Sequence, residues 1–180
     1  MTNSSIIPAK PLARLLVLLF LLVAGEAAAQ HRELAWEELV PDSWQPEKLF
    51  ANLNLENITD NSPEAAKALK IIADEWKNAP ANPALKGQSV KLPGYVVPLD
   101  WESSARLKEF LLVPYFGACI HLPPPPANQI IYVRLGKPAK GIKSMDAVWV
   151  YGKLELERND SGEMGSSSYS MRADKVELYK

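Results

Sequence analysis

The stretch AVWVYGKLEL, residues 147–156, decides the fold. Val148, Val150, Gly152, Leu154 and Leu156 fall on one side of an extended chain, while Trp149, Tyr151, Lys153 and Glu155 fall on the other. A period of two with one apolar face is the pattern of an antiparallel strand that rests on a core and shows its other face to water. Working outward, the same period runs through Gly87 to Leu99, Leu107 to Val113, Gln129 to Leu135 and Tyr169 to Leu178. In the first of these, Val90, Leu92, Tyr95, Val97 and Leu99 alternate around Pro93-Gly94, a pair that reads as a bulge or bend within the strand. Turn signals separate the segments, the last pair by Asn159-Asp160-Ser161-Gly162 and a Gly/Ser stretch to Ser168.

Five such strands without βαβ alternation favour closure, because an open sheet of this size would leave edges to protect. The expected fold is mainly β: a small five-stranded antiparallel OB-like barrel over residues 85–180, with an SH3-like or sandwich arrangement as the alternative. No internal repeat is present. Residues 30–84 read as an N-terminal arm and one amphipathic helix. The arm carries Trp36, Leu39, Val40, Trp44, Leu49 and Phe50 without a period, which suits a segment that packs over a core. The helix starts at Ser62 as N-cap with Pro63 at its first position and stops at Asn78-Ala79-Pro80. Ala65, Leu69, Ile72 and Trp76 form one stripe, expected to dock on the barrel.

Residues 10–29, KPLARLLVLLFLLVAGEAAA, place Lys10 and Arg14 ahead of an apolar run from Leu15 to Ala24, followed by Ala27, Ala28 and Ala29. This is the layout of a secretory signal peptide over residues 1–29, cleaved between Ala29 and Gln30, and it predicts a periplasmic protein. The run is too short before Glu26 to serve as a spanning helix, and no later stretch is long enough. The mature protein is therefore expected not to span the membrane. In 180 residues there are 20 basic and 21 acidic side chains, a formal charge of −1 that offers no basic excess for nucleic acid. The single cysteine excludes an intramolecular disulfide and every multi-cysteine zinc motif within one chain.

Between the second and third strands lies PYFGACIHLPPPPANQ, residues 114–129. Four successive prolines fix φ and favour a stiff polyproline II rod, which would hold the preceding residues in one pose. Those residues include Cys119 and His121, whose spacing puts both side chains on the same side of an extended backbone. Thiolate and imidazole suit zinc and also cuprous copper. Two ligands do not complete a site, so Asp100, Glu102, His31, Tyr115 or a second subunit would have to contribute. Alternatively, His121 lowers the pKa of Cys119 and makes a thiol-dependent enzyme, with Asn128 as a nominal orienting group. In a third reading the cysteine is buried and inert and the protein is a structural adaptor. No CxxC, GxSxG, HExxH or P-loop pattern occurs. The five dispersed tryptophans read as core and arm anchors.

Residues 94–99, GYVVPL, and 110–129, FLLVPYFGACIHLPPPPANQ, resemble the bacterial exported family grouped as domain of unknown function 3299 (DUF3299), over roughly residues 85–178. The resemblance implies a small periplasmic protein, of a family without an assigned activity, that accompanies an FtsX/MacB-like ABC transporter; the leading expectation is a binding or accessory protein, not an enzyme, whose partner is the inner-membrane permease or another periplasmic protein. In some bacteria the resemblance also implies zinc-responsive regulation. Carried onto this chain, it directs attention to Cys119, His121 and the proline run, with zinc as the implied metal.

Overall fold

The structure, a computed structural model, describes residues 31–53, 59–102, 106–118 and 124–180. The expected signal peptide, residues 1–29, therefore lies outside the described residues, and His31–Lys180 forms one compact unit. Its strands are β1 (Arg32–Glu33), β2 (Ser89–Glu102), β3 (Arg106–Val113), β4 (Ile131–Ala139), β5 (Ala147–Glu155), β6 (Asn159–Asp160), β7 (Ser166–Ser167) and β8 (Tyr169–Leu178). Two helices, α1 (Pro46–Asn52) and α2 (Pro63–Lys77), precede β2.

Five strands close the expected OB-like barrel. The order is β2-β3-β4-β8-β5, and β5 returns to pair with β2. Four seams are antiparallel, and the seam between β4 and β8 is parallel, with Ile131 opposite Tyr169 and Leu135 opposite Ala173. The period-two reading of β5 holds: Val148, Val150 and Leu154 are fully buried while Lys153 is exposed. They meet Val90, Leu92, Phe110, Leu112, Ile131, Val133 and Met171 in the main core. Burial of this apolar surface, at about 25 cal/mol per Å², is the largest force holding the strands together.

Pro93-Gly94 marks the place where β2 changes partners. Residues up to Tyr95 pair with β5, and residues from Tyr95 onward pair with β3. A Cβ at Gly94 would stand 2.8 Å from Leu112 Cγ and 2.8 Å from the Val113 carbonyl oxygen, so only glycine lets the two strands approach here. The register shifts of β2 occur further on, around Asp100.

The arm does more than cover the barrel. β1 adds to β2 in parallel, with Arg32 opposite Val90, and Leu34 and Leu39 are fully buried members of the main core. Trp36 donates its indole N–H to the Pro93 carbonyl at 2.7 Å, and Tyr169 donates its hydroxyl to the Leu39 carbonyl at 2.6 Å. Trp44 and Trp36 are thus anchors as expected, Trp44 by donating to Glu75 at 2.7 Å.

Helix α2 has the expected bounds and cap, the Ser62 hydroxyl accepting from the Ala65 N–H at 3.1 Å. Its buried face differs from the expected stripe. Ala68 is the buried residue, Ile72 and Trp76 are half-buried, and Leu69 is 67% exposed. The small Ala68 permits a close approach that Leu69 would block, and the Trp44–Glu75 bond fixes the helix in that rotation. The C-terminal end of α2 is tied down by Arg158, which donates to the Lys77 carbonyl at 2.7 Å, and by the Lys77–Asp160 ion pair at 2.8 Å. Among the described residues no helix is long and apolar enough to cross a membrane.

Candidate functional site

The chemistry-bearing loop joins β3 to β4. Its first half leaves the core abruptly: Val113 is fully buried, then Tyr115 and Phe116 are 53% and 65% exposed. The turn is closed by the Ala118 N–H donating to the Tyr115 carbonyl at 3.3 Å and by Gly117 at φ +80°, a conformation that favours glycine. Phe116 stands edge-on to Tyr95 with ring centroids 5.9 Å apart. Ala118 then returns to a second apolar cluster with Val97, Leu111, Val113 and Ile130.

The far half of the loop is equally anchored. Pro125 is buried, and Pro126 has φ −56° and ψ 149°, the polyproline II region expected of the proline run. Pro124 lies against Gly165, where an added Cβ would approach Pro124 Cβ to 3.3 Å. Gly165 also has φ +104°, so this close approach depends on glycine twice over. Together with Ala73 and Trp76 of α2, the prolines border an apolar crevice of about 190 Å³. Asn128, fully buried, donates to the Pro80 carbonyl at 3.2 Å, and the Ser168 hydroxyl donates to the Ala79 carbonyl at 2.5 Å. Asn128 is thus a strut between the loop and the end of α2. Among the described residues, its Oδ1 and the Ser167 hydroxyl have no hydrogen-bond partner.

Cys119 and His121, the expected metal ligands, lie outside the described residues, as does Pro123. The residues that sequence reasoning offered as additional ligands are dispersed. His31 Nε2 lies 3.3 Å from Asp174 Oδ2, and the ring sits edge-on to Tyr151 at 5.6 Å, on the β5–β8 face. Tyr115 is exposed in the first half of the loop, and Asp100 and Glu102 belong to β2. Among the described residues no group of three or more His, Cys, Asp or Glu side chains is placed to hold a metal ion.

A second concavity, of about 560 Å³, opens on the outer face of β4, β8 and β5. Tyr132 donates to Glu109 at 2.6 Å, and partial burial, with that carboxylate beside it, raises the phenol pKa. Arg134 lies 3.7 Å from Glu109 and 3.9 Å from Glu157, with its guanidinium 4.7 Å from the Tyr132 ring. Glu157 also accepts from Ser170 at 2.7 Å, and Lys153 pairs with Glu155 at 3.4 Å. Nothing in the single-strand patterns announces this face, because it is made by the alignment of three strands. Further round the barrel, Trp149 stacks on Tyr179 at 5.5 Å with Lys91 over its ring, so this tryptophan belongs to the outer surface. Beside it, Tyr151 donates to Glu177 at 2.6 Å, and Lys175 and Tyr151 together hold the Glu177 carboxyl below its usual range.

A comparison with curated proteins finds no match. Among solved structures, the chain is similar to the crystal structure of a DUF3299 family protein from Pseudomonas aeruginosa PAO1. The two share 37% identity at a TM-score of 0.64, over 83% of this chain and 97% of that one. The family description "Protein of unknown function (DUF3299)" matches residues 36–178, which include the arm from Trp36, the barrel and the whole β3–β4 loop. On that match and that structural likeness, the chain belongs to the DUF3299 family.

Proposed function

We propose that this chain is an exported periplasmic binding and accessory protein, not an enzyme, that offers Cys119 and His121 as two ligands for zinc at the contact with a partner. The partner in this reading is the inner-membrane permease of an FtsX/MacB-like ABC transporter. One observation carries it: both flanks of residues 119–123 are pinned, Ala118 at 1% exposure on one side and buried Pro125 on the other. Ligands borne between pinned flanks have less conformational freedom to lose when a metal binds. The exposed Tyr115 and Phe116 beside them are the kind of rigid aromatic side chains that anchor protein interfaces. The apolar run and Ala27-Ala28-Ala29 support export.

Thiol labelling of the full mature chain tests the site. A zinc-bound cysteine is a thiolate held by the metal, so zinc should slow alkylation of Cys119 and release a proton, and His121→Ala should weaken that protection. Two ligands per chain give modest affinity, which should rise when a partner completes the tetrahedron. Slow labelling with or without zinc would sink the metal reading in favour of a structural adaptor with an inert cysteine. Fast labelling of the metal-free protein that His121→Ala slows would replace it with a thiol-dependent enzyme. Export is checked separately: the protein recovered from its native host should begin at Gln30 or within a few residues of it, and recovery of the full-length chain in membranes would overturn the localisation.

A further inference from the structure

The register of the barrel sets three cations side by side. Arg134 on β4 is opposite Arg172 on β8, and Arg172 is in turn opposite Lys153 on β5. Like charges directly opposite one another on neighbouring strands are destabilising, so this row costs stability as it stands. Arg134 and Lys153 are each partly compensated, by Glu109 and Glu157 and by Glu155. The central cation, Arg172, makes no ion pair or side-chain hydrogen bond among the described residues, and it lines the concavity of about 560 Å³. That volume falls within the range of small-molecule sites.

We propose that this concavity binds a dipeptide-sized zwitterion, whose carboxylate is held by Arg172 and whose ammonium lies toward Asp174. The planar guanidinium offers two parallel N–H donors that match the two oxygens of a carboxylate, and an anion there relieves the repulsion along the row. Asp174, exposed and lining the same concavity, is two residues on from Arg172 and is the extra residue where the register of β8 against β5 shifts, so its backbone lies at most about 7 Å away. Two extended residues reach about 7 Å, so the termini of a dipeptide span that interval. The concavity is lined by Arg134, Lys153 and Arg172 against Glu155, Glu157 and Asp174, three charges of each sign. This balance selects against a polyanion and in favour of a ligand that carries both signs. The site lies on the barrel wall and does not depend on the reading of Cys119 and His121.

The test titrates the full mature chain with glycylglycine, with acetate and with inorganic phosphate, following the Arg172 side-chain Nε–H signal by NMR and affinity by calorimetry. Glycylglycine should saturate the Arg172 signal and bind more tightly than either simple anion. Arg172→Gln should weaken it at least tenfold, and Asp174→Asn should weaken glycylglycine while leaving acetate unchanged. Arg172→Gln should also leave thermal stability unchanged or raised, because it removes a crowded charge. Absence of a saturable shift with all three probes would overturn the site. Equal binding of phosphate and glycylglycine, unaffected by Asp174→Asn, would overturn the zwitterion. A drop in stability for Arg172→Gln would make the residue structural and overturn the proposal as well.

Discussion

Replacing Gly152 with alanine should destabilise the barrel by about 3 kcal/mol, at the upper end of what overpacking a core costs. An added Cβ at this position runs into the carbonyl oxygen of Arg172 and comes within 2.9 Å of Ala173 Cα. Both obstacles are backbone, so no side-chain rotation relieves them. Gly152 sits where the register of β5 against β8 shifts, between Tyr151 and Gly152, with the β8 backbone directly against its Cα. For a unit of this size each kcal/mol moves the melting temperature by about 2–4 °C, so the loss should appear as roughly 10 °C. Gly136 in β4 is the control, since nothing lies within 4 Å of its Cβ position, and Gly136→Ala should stay within about 0.5 kcal/mol of the parent. Equal melting temperatures for the two variants would mean that β5 and β8 do not meet in this register.

Tyr169→Phe should cost about 2 kcal/mol at neutral pH and should abolish one component of alkaline unfolding. The side chain is fully buried, its hydroxyl donates to the Leu39 carbonyl at 2.6 Å, and it accepts from the Asn82 N–H at 2.5 Å. Phenylalanine keeps the ring and orphans both backbone groups, the Leu39 carbonyl in the arm and the Asn82 N–H in the segment leading into β2. Burial disfavours the phenolate and pushes the Tyr169 hydroxyl up to about 12, against 10 for an ordinary tyrosine. Below pH 10 the phenol is neutral in both folded and unfolded chains. Between pH 10 and 12 the unfolded chain ionises first, the folded state holds more protons, and stability falls as pH rises, by an amount on the order of 2 kcal/mol. Urea titrations of parent and variant at pH 8, 10 and 12 isolate the effect, since the remaining lysines and tyrosines are common to both. The gap between the two proteins should shrink as pH rises above 10. A constant gap would show that Tyr169 reaches solvent.

Much of this architecture is written locally. The alternation of Val148, Val150 and Leu154 with Trp149, Tyr151 and Lys153 specifies β5 without reference to any partner, because successive side chains on a strand point to opposite faces. Ser62 and Pro63 place the start of α2 for the same kind of reason, since a cap satisfies N–H groups within three residues of itself. The Cys119-x-His121 spacing and the proline run after it are legible as candidates, being matters of residue type and order.

Only the tertiary structure decided what those elements meet. The parallel seam between β4 and β8 joins segments more than thirty residues apart, and no period within either strand states it. The rotation of α2 that buries Ala68 and exposes Leu69 follows from how closely the helix is drawn to its neighbours. The buried hydroxyl of Tyr169 binds Leu39 across 130 positions, which makes a segment that reads as an arm into part of the core. The row of Arg134, Arg172 and Lys153 exists only because two registers coincide, and shifting either strand by one residue would send its cation to the opposite face. Sequence periodicity reports the face a side chain takes, since that is a property of one strand's geometry. Partner and register emerge from packing between strands, where the contacts that select them are distant along the chain.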